Sequence, residues 1–115
     1  MKGVSLLIRA TCQGFRFKLP YSFERIKNVQ ITFWQEGNDG TQDCPLPIIK
    51  VLADCTGEPE GKELSVVLNQ VETAAFMTDR KAFVQFRGLT DNDFVFGSRI
   101  MPITVYPVKN DTILE

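Results

Sequence analysis

The chain has 115 residues, 43% hydrophobic and 23% charged, with 13 basic side chains against 14 acidic ones and no histidine. One domain spanning residues 1–115 fits that length, and the apolar share is enough for a core, which excludes wholesale disorder. The balanced, scattered charge offers no cation cluster to displace phosphate counterions, so nucleic acid is not an expected partner.

At the N-terminus, Lys2 supplies a charge, but the apolar run Val4–Ile8 is short and is closed by Arg9. No signal peptide is read there, and no stretch approaches the ~20 apolar residues of a membrane span. Val4–Thr11 is the first expected strand. Next, Phe15, Phe17 and Leu19 alternate with Gly14, Arg16 and Lys18. Val29, Ile31 and Phe33 alternate with Gln30, Thr32 and Trp34, and Leu64, Val66 and Leu68 with Ser65, Val67 and Asn69. A period of two puts one side of each run on a core and the other toward solvent, whereas a helix would spread the same residues around its surface.

Ile48–Ala53, Ala82–Leu89 and Ser98–Tyr106 complete the expected strands. Turn chemistry separates them: Gly37-Asn38-Asp39-Gly40, Gly57-Glu58-Pro59-Glu60-Gly61 and Asp91-Asn92-Asp93, the last closing a hairpin. Gly97 marks a bulge in the returning strand. Pro102, lacking an N–H, predicts a sheet edge or a local irregularity. Between Leu68 and Ala82, Asn69 caps one or two helical turns and Glu72 reaches back to the cap, with Val71, Ala75 and Phe76 toward the core. Ile113 and Leu114 are available to dock a fraying tail. About seven short strands with one helical turn predict an all-β, two-sheet antiparallel sandwich of immunoglobulin-like type; a small β-barrel is the alternative.

The residues point to no catalytic, cofactor or metal site. Without histidine the commonest general base and metal ligand is missing. Cys12, Cys44 and Cys55 contain no Cys-x-x-Cys pair for zinc. Their odd number argues against a disulfide framework and for reduced, at least partly buried thiols, although Cys44 and Cys55 could meet across a hairpin. No phosphate-binding glycine loop or nucleophile elbow occurs. Asp91 and Asp93 read as turn residues, since the glycine and distal glutamate of a calcium loop are missing. Glu58 and Glu60 read as a solvated loop.

The aromatic residues are more informative. With Val29, Ile31 and Phe33 inward, Trp34 faces outward beside Gln30 and Thr32. With Val84 and Phe86 inward, Phe83 shares the outer side with Gln85 and Arg87. Two readings stand: Trp34 and Phe83 pack on each other or under the Gly37–Glu60 loop, or Trp34, Phe83, Gln85 and Arg87 form a partner interface. Arg16 and Lys18 face outward too.

The order of landmarks carries a resemblance. Arg9-Ala10-Thr11 leads into Phe15-Arg16-Phe17-Lys18-Leu19-Pro20, then Ile26-Lys27-Asn28-Val29-Gln30-Ile31-Thr32-Phe33 and Gln35. Leu64-Ser65-Val66-Val67-Leu68-Asn69-Gln70, Glu72-Thr73, Val84-Gln85-Phe86-Arg87 and Ser98-Arg99-Ile100 follow. This resembles short, usually uncharacterised β-sandwich proteins of phages and prophages of gut Firmicutes, and β-rich domains of phage tail and baseplate modules. The chain departs from that pattern in its longer middle, Gly37–Glu60, with its Cys-Pro-Leu-Pro segment. The resemblance implies a virion structural or adaptor protein that is not an enzyme. Its partners would be other phage structural proteins or further copies of itself, in the virion or the bacterial cytoplasm, with neither membrane nor small-molecule substrate. The alternative is a carbohydrate- or host-surface-binding module with Trp34 as a stacking platform and Gln30 and Asn92 converging on it. A small enzyme using carboxylates or a low-pKa cysteine is a third reading.

Overall fold

The alternating runs fold as strands with the expected side inward. A computed structural model describes residues 5–36, 46–78, 80–110 and 112–114. In chain order these form β1 (Ser5–Ile8), β2 (Gln13–Lys18), β3 (Ile26–Gln35), β4 (Ile48–Val51), β5 (Cys55–Thr56), β6 (Glu63–Leu68), helix α1 (Gln70–Ala74), β7 (Ala82–Thr90), β8 (Val95–Gly97) and β9 (Met101–Tyr106). The large sheet runs β1-β9-β7-β3-β4, with β8 also on β7; the small sheet is β2-β6-β5. The chain is therefore mostly β, two sheets packed as a sandwich that curls toward a half-barrel.

Phe15, Phe17, Leu64, Val66 and Leu68 from the small sheet meet Val29, Ile31, Phe33, Val84 and Phe86 from the large one, all buried. Phe15 lies on Phe33 with ring centroids 5.0 Å apart, and Phe17 stacks on Phe86 at 5.2 Å. Each such side chain contributes ~1.5–3 kcal/mol by leaving water. The large sheet is not wholly antiparallel, because β1 joins β9 in parallel, Leu7 beside Val105. The strand expected over Val4–Thr11 ends at Ile8: Ala10 takes a left-handed φ of 60°, and the Thr11 hydroxyl donates to the Ile8 carbonyl. The chain so turns from the large sheet into the small one.

The hairpin at Asp91-Asn92-Asp93 forms as expected, with Asp93 at φ 64° and Thr90 N–H bonded to the Phe94 carbonyl. Past Gly97 the return strand breaks. Between the pairs Arg87–Gly97 and Val84–Met101, two residues of β7 oppose three, Ser98 to Ile100. The bulge expected at Gly97 thus falls just after it, and Ser98 holds it by accepting from Phe86 N–H through Oγ. Pro102 is not in an edge strand, since β9 lies between β7 and β1. It sits next to the break and ahead of the first described β1 pair, Ser5–Ile103, where its missing N–H is tolerated.

The helical turn has the predicted capping box. Asn69 Oδ1 accepts from Glu72 N–H at 2.9 Å, and Glu72 Oε1 accepts from Asn69 N–H at 2.9 Å. Its inward face differs from expectation: Val71 is 61% exposed, and Thr73 and Phe76 are buried, with Ala75 half-buried. Counting from the cap, Thr73 and Phe76 lie three residues apart on one side, and Val71 on the other. Buried Thr73 is satisfied by Thr11, accepting from its N–H and donating to its carbonyl. In the tail Ile113 is half-buried, and Leu114, 78% exposed, is held by its backbone to Gln70. Among the described residues no helix is long and apolar enough to cross a membrane.

Candidate interaction surface

The two central strands of the large sheet, β3 and β7, run antiparallel in a register that pairs Trp34 with Phe83, Thr32 with Gln85 and Gln30 with Arg87. Because Gln35, Phe33, Ile31, Ala82, Val84 and Phe86 point into the core, all of those pairs point out. Trp34, Phe83, Gln85 and Arg87 are therefore brought together on one outward face. Trp34 and Phe83 are half-buried against each other, ring centroids 5.7 Å apart at 33°. This is the cross-strand packing considered above. Arg87 donates to Gln30 Oε1 at 3.0 Å, and Gln85 donates to the Ser98 carbonyl at 3.3 Å.

The same face extends beyond the four residues read from the sequence. On β4, Ile49 (51% exposed) and Val51 (44%) lie beside Thr32 and Gln30. On the other flank are Pro102 beside Phe83, then Thr104 and Tyr106 beside Leu6 and Ile8 of β1. The β4 residues were not legible because Ile48-Ile49 is apolar on both parities. The one charge of β4, Lys50, turns away to Glu72 at 2.8 Å on the rim of α1. One step past the strand ends, Glu36 N–H bonds the Lys81 carbonyl, so this exposed pair continues the outward row.

Other candidates resolve into structure. Asp91 pairs with Arg25 at 3.4 Å and Asp93 with Lys27 at 3.5 Å, which offsets their charge. Among the described residues no group of acidic or thiol side chains is placed to hold a metal. Glu58 and Glu60 are exposed in the Gly57–Gly61 turn. Asn92 accepts from the Thr90 hydroxyl at the hairpin tip. Ile26 pairs with Thr90 there, eight residues along β3 from Trp34 or roughly 27 Å, so Gln30 and Asn92 do not converge on Trp34 as a sugar platform.

Cys12 is exposed rather than buried. Cys55 is half-buried and donates to the Val51 carbonyl. Burial, reinforced by Asp54 and opposed by Lys50, raises its thiol pKa from 9.0 to about 11, the reverse of what a nucleophile needs. Cys55 is a free thiol, not one half of a Cys44–Cys55 bridge; Cys44 itself and the Gly37-Asn38-Asp39-Gly40 turn lie outside the described residues.

No family model matches the chain, and no curated protein is significantly similar to it.

Proposed function

We propose that this chain is a non-enzymatic assembly protein that presents the outward face of its large sheet to another protein subunit. The observation that carries this reading is the face itself. Trp34, Phe83, Ile49, Val51, Pro102 and Tyr106 form an outward apolar surface on a two-sheet scaffold, with Arg87 as the only charge on the β3–β7 rungs from Gln30 to Trp34, and Lys27 at the far end of β3 paired to Asp93. Isolated apolar residues on a surface are ordinary, but a contiguous field centred on a Trp–Phe pair is the kind of surface that partners cover. The resemblance to phage and prophage proteins supports a particle, tail or baseplate setting, with other structural subunits of the particle as partners.

The test is quantitative mass spectrometry of particles purified after prophage induction in the source strain. The reading expects the chain in fixed stoichiometry with other particle proteins, and expects a W34E chain, expressed and folded, to be left out. Intact particles that lack the wild-type chain while the lysate contains it refute the particle setting.

A further inference from the structure

We infer that the partner of this face is a second copy of the same chain, packed face to face about a two-fold axis running along the strands between β3 and β7. The inference rests on the assembly reading above and deepens it.

Its basis is the chemistry of the cross-strand pairs. Along the outward face from Glu36 to Gln30 the rungs joining β3 to β7 couple groups that suit each other: Glu36 with Lys81, Trp34 with Phe83, Thr32 with Gln85 and Gln30 with Arg87. A two-fold axis between the strands and parallel to them exchanges the two columns and keeps the level along the strand. Every group then meets the complement of its own neighbour: Glu36 meets Lys81 of the other copy, Trp34 meets Phe83, and Gln30 meets Arg87. A two-fold axis crossing the strands instead sets β7 on β7, where like charges at Lys81 and Arg87 oppose each other. Self-complementarity of this kind is what a two-fold interface demands, since one patch must serve both sides.

Charge agrees. The 13 basic and 14 acidic residues nearly cancel, so two copies meet without long-range repulsion. Strands of ten and nine residues in β3 and β7, with the shorter β4 beside Gln30–Phe33 and β9 beside Ala82–Val84, give an outward face of ~500 Å² in projection. That is the size of a weak, reversible contact, below the ~800 Å² per partner of a standard interface. Face-to-face sheets pack ~10 Å apart, within reach of Glu, Lys and Arg at the rim.

The chain contains a single tryptophan, and it lies within this interface. The experiment is sedimentation equilibrium of the wild-type chain, with acrylamide quenching of Trp34 followed over the same concentration range. The expected result is a monomer–dimer equilibrium in which quenching falls as dimer forms, and W34E is monomeric. E36K and K81E each weaken the dimer about tenfold, and E36K/K81E restores it. Urea unfolding at concentrations where all variants are monomeric separates this from any effect on the fold. A strict monomer at the highest attainable concentration overturns the inference. So does a dimer that survives W34E or leaves Trp34 equally quenchable, and a dimer indifferent to the charge reversals overturns the axis. A monomer here that is still incorporated into particles through Trp34 leaves the assembly reading intact with a different partner.

Discussion

Gly88 of β7 is the position where one added methyl group tests the packing at the bulged edge of the sandwich. It is buried, and Phe96 of β8 is its cross-strand neighbour. A Cβ at Gly88 would lie 2.3 Å from Phe96 Cζ and 2.8 and 2.9 Å from the adjacent ring carbons. The ring therefore lies directly over the glycine, filling space that any other residue would occupy. In G88A the ring must swing away. It then loses part of its contact with Phe86, now at 5.5 Å between centroids, worth about 0.5–1.5 kcal/mol for an aromatic pair. Lost ring burial and backbone adjustment bring the cost to about 1–3 kcal/mol, typical of overpacking. For a chain of this size that lowers Tm by roughly 4–12 °C.

Urea unfolding followed by Trp34 fluorescence measures the difference, and a double-mutant cycle identifies its cause. F96A removes the ring, so the added methyl group no longer collides, and G88A/F96A should be no less stable than F96A alone. The coupling between the two sites should then equal the whole cost of G88A, about 1–3 kcal/mol. The account is refuted if G88A stays within about 0.5 kcal/mol of wild type, or if the two changes simply add.

Gln35 is 3% exposed; its Nε2 donates to the Met77 and Arg80 carbonyls and its Oε1 accepts from Met77 N–H at 2.9 Å. Q35L should cost about 2–3 kcal/mol by leaving these groups unpaired, and hydrogen exchange at the Met77 amide should speed up. N69A removes the α1 cap at a cost of about 1 kcal/mol, read as a shift of the urea midpoint with an unchanged slope. For Cys55, whose thiol is pushed up to about 11 from 9.0, the unfolded chain ionises first as pH rises. The folded state thus loses stability between pH 9 and 11, and below 9 both states keep the proton and nothing changes. The urea midpoint of wild type should fall relative to C55S across that window, and a constant difference contradicts the assignment. At pH 8, alkylation followed by peptide mapping should modify exposed Cys12 well before Cys55.

What could be read in advance was the side of each strand, because period two is a local property. Phe15 and Phe17, Val29, Ile31 and Phe33, and Leu64, Val66 and Leu68 are buried as their alternation required. The runs Leu6-Leu7-Ile8 and Ile48-Ile49 carry no alternation, so their inward residues emerge only from pairing with β9 and β3. The parallel joining of β1 to β9 is likewise a long-range choice that no short pattern encodes. At α1 the reading that turns Val71 inward fails because polar Thr73 takes the buried position, and Thr11 supplies the partners that make that burial acceptable. Gln35 shows the opposite case: its parity with Phe33 placed it inward all along, and only its polarity concealed that.

The interaction surface lies between these limits. Its members are the complement of the buried set, so Trp34, Phe83, Gln85 and Arg87 could be named from alternation alone. Which member faces which could not, since sliding β7 by one residue against β3 would turn one strand's outward set into the core. Turn chemistry does not set that register, because no short turn joins β3 to β7. The burial of Ala82, Val84 and Phe86 opposite Gln35, Phe33 and Ile31 sets it. The rungs Glu36–Lys81, Trp34–Phe83 and Gln30–Arg87 are therefore a consequence of core packing on the far side of the sheet. A core substitution that shifted that register would alter the outward face without touching any residue in it.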